Sequence, residues 1–153
     1  MKLRLDREYM SESYDQFRKY GSRWLLAERL LGVVFILSGT FFYLTLEGGR
    51  FAPVLLIFLG FFELASNSVK KYFWLRRHEK SKLMNAEIEM EISGSGIDSS
   101  GPFSSGHFNW DGLEKAVRTP DGVLLWPQKG VYWYLPERIA GSEMIALILS
   151  KVA

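Results

Sequence analysis

Hydrophobic and polar positions follow three rhythms along this chain. Residues 1–23, MKLRLDREYMSESYDQFRKYGSR, mix charged, polar and isolated apolar side chains, with no sustained apolar run. From Leu30 to Leu46 the sequence LLGVVFILSGTFFYLTL carries 17 residues without a charge, about 26 Å of helix. Trp24 and Leu25 to Ala27 extend this segment, with Glu28 and Arg29 at its boundary, where long side chains reach headgroups. After the short polar link Glu47-Gly48-Gly49-Arg50, a second apolar segment runs from Phe51 to Val69, with Pro53 in its first turn, where a missing amide costs little. So short a link forces the two helices antiparallel. Residues 24–69 are therefore predicted to form a transmembrane hairpin. The runs Phe41-Phe42-Tyr43 and Phe58-Leu59-Gly60-Phe61-Phe62 are apolar on every helical face, which argues against a core hairpin of a soluble protein this small.

Residues 70–84 form a basic linker, and at Asn85 the rhythm changes to two-residue alternation. Ala86, Ile88, Met90 and Ile92 alternate with Glu87, Glu89 and Glu91, the pattern of a strand with one buried face. Gly94-Ser95-Gly96 marks a turn, Ile97-Asp98 a short strand, and Ser99 to Gly106 a flexible stretch. Further strands are predicted at His107 to Trp110, Leu113 to Thr119, Val123 to Trp126 and Val131 to Leu135, with a hairpin turn at Pro120-Asp121-Gly122. Ser142 is placed to cap a helix that ends at Lys151. The expected fold class is α+β: a two-helix transmembrane hairpin, preceded by a cytoplasmic segment (1–23) and followed by a small antiparallel β module (85–153) closed by a C-terminal helix.

Charge supplies the orientation. Lys2, Arg4, Arg7, Arg18, Lys19 and Arg23 precede the hairpin, Lys70, Lys71, Arg76, Arg77, Lys80 and Lys82 follow it, and the link holds only Arg50. By the positive-inside rule both termini are cytoplasmic. Lys70, Lys71, Trp74, Arg76 and Arg77 form the expected membrane interface, with Tyr72 and Phe73 beside Trp74 as an aromatic anchor, and the basic run Lys70 to Lys82 attracts anionic lipids without headgroup specificity. The polar first two dozen residues do not read as a cleavable signal. A net charge of +2 is too small for a nucleic-acid binder, and the absence of cysteine removes disulfides, thiolate metal sites and cysteine nucleophiles.

Candidate chemistry is sparse. Glu63 is the acidic residue inside the second apolar segment, and folding the chain about Gly48-Gly49 puts it opposite Val34, within reach of Arg29. His78 reads as a headgroup-level residue. His107 lies near Asp98, Ser104, Ser105 and Asp111 without a nucleophile elbow, so no catalytic role is assigned. Glycines 94, 96, 101 and 106 make turns rather than a phosphate cradle, Glu87, Glu89 and Glu91 read as a solvated face, and no cofactor or metal is expected. Trp110, Trp126, Tyr132 and Tyr134 exceed what a core requires. Alternation sets Tyr132 and Tyr134 against Val131, Trp133 and Leu135, predicting an exposed aromatic patch suited to a protein partner or the membrane surface.

The polar N-terminal segment, the helix hairpin, Gly96-Ile97, the strand ending at Trp110 and the closing Leu135-Pro136-Glu137-Arg138 together resemble the YcxB-like proteins. The resemblance spans nearly the whole chain. It implies a bacterial inner-membrane protein with a pleckstrin-homology-like soluble part, in a family without an established activity. Glu137 stands where many relatives carry a basic residue, so Arg138 is not expected to join a basic ligand patch, and the predicted loops Ser93 to Gly96 and Gly101 to Ser105 carry no positive charge for a phosphoinositide. The expectation is a non-enzymatic, membrane-anchored interaction module, in contact with lipids and a protein partner. Two alternatives are an immunity-type protein that neutralises a toxin at the inner membrane, and an oligomeric channel or transporter subunit that uses Glu63, Ser38 and, for helix packing, the small residues Gly39 and Gly60.

Overall fold

A computed structural model describes the chain apart from Arg23, Glu47 and Ala153 and the side chains of Trp24 and Leu25, so the expectations that fall on Arg23, Glu47 and the Trp24 and Leu25 side chains lie outside the described residues. The chain divides into two compact units, one of Met1–Gly21 with Leu75–Ala153 and one of Ser22–Trp74.

The first unit is built on two antiparallel sheets. Strands β1 (Lys2–Arg4), β2 (Glu87–Ile92), β3 (Gly96–Ser100) and β4 (Ser105–Asn109) form one, in that order. Strands β5 (Lys115–Thr119), β6 (Gly122–Gln128) and β7 (Val131–Pro136) form the other. Leu3 faces Ile88 across β1 and β2, and Ile97 faces Phe108 across β3 and β4. Alternation therefore turns Leu3, Met90 and Ile97 inward and leaves Lys2, Glu87, Glu89, Glu91, Asp98 and His107 outward. The core is completed by Val123, Leu124, Leu125 and Leu135 and by Ile145 and Ile148 of the closing helix, all at most 1% exposed. Each such side chain contributes about 1.5–3 kcal/mol by leaving water.

Two glycines are dictated by close approach. A Cβ on Gly96 would lie 2.1 Å from the Phe108 carbonyl oxygen, and one on Gly122 2.3 Å from that of Leu135. Only a residue without a side chain fits either ladder position.

The expected boundaries of this unit are corrected at the N-terminus. Met1–Gly21 are not a separate segment: β1 joins the four-stranded sheet, and helix α1 (Arg7–Gln16) followed by a π-helical turn (Phe17–Gly21) packs into the same core. Asp6 caps α1, its carboxylate accepting from the Tyr9 amide at 2.9 Å. Tyr9, Ser13 and Phe17, spaced by one helical turn, and Tyr14 supply the face that packs. This stripe is too polar and too aromatic to register as hydrophobic periodicity. At the other end, helix α5 (Ser142–Lys151) follows the short α4 (Glu137–Ala140), and its cap is Gly141 at φ 78°, with Ser142 as its first residue rather than its cap.

The second unit is the hairpin of α2 (Trp24–Thr45) and of α3 (Phe51–Glu79) as far as Trp74. Stretches of 20 and 29 residues within these helices are long and apolar enough to cross a membrane. Helix α3 runs through residues 70–79, so most of the expected basic linker is helical, ending with Arg76, Arg77 and His78 in its last turn, where positive charge complements the helix dipole.

Candidate functional site

The hairpin holds itself together through a seam of small residues. Gly32 lies against Gly60, and Gly39 against Pro53 and Ile57. A step of seven residues along one helix thus matches a step of seven back along the other, two turns in each. A Cβ on Gly60 would sit 2.6 Å from the Gly32 carbonyl oxygen, and one on Gly39 2.8 Å from that of Pro53. Gly39 and Gly60, expected to serve helix packing, do so inside the hairpin. The outward faces carry large apolar side chains, with Leu26 68%, Leu37 64%, Phe51 81% and Phe58 63% exposed. Only 11% and 17% of the most apolar windows of the two helices are buried, the opposite of a core helix in a soluble domain.

This register also moves Glu63. It lies three residues beyond Gly60 and so falls level with Arg29, three before Gly32, rather than opposite Val34. The recorded ion pair is nevertheless with Lys70, whose Nζ lies 3.6 Å from Glu63 and 3.6 Å from Glu28. Lys70 is two helical turns from Glu63 and shares its face of α3. The Ser66 hydroxyl donates to the Glu63 backbone carbonyl at 2.7 Å, leaving the carboxylate to Lys70. Among the other interface residues, Lys71 and Trp74 are half-buried and Arg76 and Arg77 exposed, all along α3.

The aromatic residues assigned to a partner surface are corrected. Trp110, Trp126 and Tyr134 are buried, at 7%, 6% and 1% exposure, and Tyr132 is half-buried with its ring stacked 4.0 Å from that of Phe17. The N-terminal helix covers the face that alternation alone leaves open. Trp110 donates from Nε1 to the carbonyls of Ser93 and Gly94 at 3.2 and 3.1 Å, fixing the β2–β3 turn. Trp126 lies under the Lys115 ammonium, 4.2 Å from its ring centre. Tyr9 donates to the Tyr134 carbonyl at 2.7 Å, and the Tyr134 hydroxyl lies 2.8 Å from the Glu12 carboxylate. That carboxylate also receives Arg138 Nη1, at 2.6 Å from one of its oxygens, and Arg118 meets Glu137. Both cations of this corner are thus engaged in holding α1 and α4 to the sheet. Burial pushes the Tyr132 phenol up to about 12 against a partial offset from Ser13, and raises that of Tyr134 further, with Glu12 adding to the rise.

What remains open in this unit is the outward face of the four-stranded sheet, a shallow concavity of about 920 Å³ lined by Lys2, Glu89, Glu91, Asp98, Ser100 and His107. Lys2 pairs with Glu89 at 3.1 Å. His107 is held at both ring nitrogens, Nδ1 2.6 Å from Asp98 Oδ1 and Nε2 2.8 Å from Asn109 Oδ1. These acceptors, Asp98 first, raise its pKa above the ordinary histidine value. Alternation in β2 foretold the carboxylates of this face, but nothing local in the sequence foretold the Asp98–His107–Asn109 set, which forms by pairing across β3 and β4. No group of three or more metal-binding side chains occurs among the described residues. The chain matches no model of a known family, no curated protein and no solved structure with which it was compared.

Proposed function

We propose that the chain is a non-enzymatic interaction module anchored in a bacterial inner membrane, with the sheet-bearing unit in the cytoplasm. The observation that carries this reading is the hairpin: two antiparallel apolar helices, packed through glycine and exposing leucine and phenylalanine on their remaining faces. Connectivity supports a common side for both ends. The segment before the hairpin supplies β1 and the segment after it supplies β2, and the two strands pair. Strands that pair must lie on one side of whatever the hairpin crosses. The excess of Lys and Arg in those flanks over the single Arg50 of the link favours the cytoplasm.

A four-stranded and a three-stranded antiparallel sheet closed by a C-terminal helix, here α5 after the single turn of α4, is also the order of elements in a pleckstrin-homology-like module, with α1 and the hairpin inserted between the first two strands. This supports the YcxB-like reading. The open surface is acidic and polar rather than aromatic, and it has the character of a protein-binding face more than of a lipid-binding one.

The test has two parts. The full chain should stay with membranes through an alkaline carbonate wash, and a photo-crosslinker replacing exposed Glu91 should yield a discrete protein adduct in native membranes. Release into the wash would overturn the anchor, and only lipid adducts or none would overturn the interaction role.

A further inference from the structure

The chain leaves the sheet-bearing unit after Gly21 and returns to it at Leu75, and each crossing lies beside particular turns of the sheets. On its return, the end of α3 passes into β2 through a tight turn. The Ser81 amide donates to the His78 carbonyl at 2.9 Å, that of Met84 to Ser81 at 3.1 Å and that of Ala86 to Leu83 at 3.0 Å. On departure, Phe17–Gly21 pack against both strands that flank the β6–β7 turn. Phe17 stacks on Tyr132, and a Cβ on Gly21 would meet the Trp126 ring at 3.0 Å.

Successive turns of an antiparallel meander fall at alternate ends of its sheet. The β3–β4 turn therefore lies at the start of β2: Ser100 pairs with Glu89, and Pro102 borders Glu87. The β2–β3 turn is at the far end of that strand, about 17 Å away. Likewise the β6–β7 turn lies on the Gly21 side of the three-stranded sheet, and the β5–β6 turn opposite.

Apolar exposure follows the same division. Among the described residues of this unit, the exposed large apolar side chains are Leu83, Phe103 and Val131. Leu83 sits in the turn from α3 to β2, Phe103, 61% exposed, at the β3–β4 tip, and Val131 beside the β6–β7 turn. The far turns carry Gly94 and Ser95, and Pro120 and Asp121, instead. One exposed apolar side chain signifies nothing, but three confined to the turns beside the crossings mark a surface. Exposed Lys80 and Lys82 flank Leu83, and exposed Lys129 lies near Val131. Of the nearby carboxylates, Glu79 is held by Arg7 at 3.1 Å and Glu87 stands opposite Arg4 in the ladder, which leaves the lysines in excess.

We propose that these turns are a second membrane contact, with Leu83, Phe103 and Val131 entering the headgroup layer of an anionic bilayer and Lys80, Lys82 and Lys129 meeting lipid phosphates. The bilayer is the occupant that the chain itself brings to them, since both crossings to the apolar hairpin open beside these turns. This rests on the anchored reading of the hairpin and adds a lipid contact made by the sheets themselves.

The test uses the full chain in nanodiscs of phosphatidylcholine and phosphatidylglycerol, with an environment-sensitive dye on single introduced cysteines and a spin-labelled phosphatidylcholine as quencher. Ser104→Cys and Gln128→Cys report the two turns with Phe103 and Val131 intact, Ser95→Cys the far turn and Phe58→Cys the hairpin. Quenching at positions 104 and 128 should exceed that at 95 by roughly threefold. Adding Phe103→Ser, at an exposed site, should remove about half of the quenching at position 104, and Lys82→Gln/Lys129→Gln should weaken it at both turns. Quenching at position 58 with 104 and 128 no dimmer than 95 would overturn this contact and leave the anchor standing. Indifference of position 104 to Phe103→Ser would overturn it too. Absence of quenching at position 58 would overturn the anchored reading, and this contact with it.

Discussion

Leu3 faces Ile88 across the pairing of β1 with β2, so the first inward side chain of the chain is set by residues that follow the entire hairpin. Leu3 is 4% exposed and belongs to the core that also takes in Met90 and Ile97. The sheet-bearing unit is therefore made of two pieces, neither of which can bury its apolar face alone. The segment 85–153 expressed by itself should fail to give cooperative unfolding in circular dichroism. Joining residues 1–21 to 75–153 through a flexible linker in place of the hairpin should restore it, and Leu3→Ala in the full chain should cost about 2–3 kcal/mol.

The corner built by Tyr134, Glu12 and Arg138 holds α1 onto the three-stranded sheet. Tyr134→Phe removes a hydrogen bond to a carboxylate and should destabilise the unit by about 1.5–3 kcal/mol. In a double-mutant cycle with Glu12→Ala the two changes should be markedly non-additive in urea unfolding, since both remove the Tyr134–Glu12 hydrogen bond.

Close packing in the hairpin gives a geometric prediction. A leucine at position 60 has no room beside the Gly32 carbonyl, so Gly60→Leu should push α2 and α3 apart by about 2 Å, toward the 8–10 Å spacing of ordinary helix pairs. Spin labels at Leu37 and Val54, both outward-facing, would report this as a longer distance in pulsed electron resonance. Phe58→Leu, on an exposed face, should leave the distance unchanged.

His107 should titrate above the ordinary histidine value of about 6.5, because Asp98 and then Asn109 accept from its ring. A group whose pKa is raised by folding lends stability that is full below its unfolded pKa and fades as pH rises through the folded value. Asp98→Asn should return the titration toward 6.5 in a nuclear magnetic resonance series on the ring protons. An unchanged midpoint would mean that the cross-strand contact does not form in solution.

Much of this architecture was legible in the sequence. The Glu87–Ile92 alternation, the Pro120-Asp121-Gly122 turn, the Val131 strand and the helix ending at Lys151 are local patterns, and each appears where its pattern predicts. What was hidden depends on contacts distant in sequence. Leu3 and Leu5 are too few to mark a strand without β2 beside them, and the face of α1 uses tyrosine and serine where periodicity looks for leucine and valine. Once α1 is misplaced, Tyr132 and Tyr134 appear exposed. The same holds for Glu63, since glycine contacts set the helix register and the length of the turn does not.

Topology is the central claim, and impermeant thiol labelling tests it most directly, because the chain holds no cysteine. Exposed Glu8 and Lys129 stand for the sheet-bearing unit and Gly49 for the link. In intact bacterial cells whose outer membrane admits the reagent, Gly49→Cys should label at once, while Glu8→Cys and Lys129→Cys should label only after the inner membrane is opened. Labelling of Glu8→Cys and Lys129→Cys from outside, with Gly49→Cys protected, would contradict the orientation. Labelling of one of these two but not the other would contradict the pairing of β1 with β2 itself.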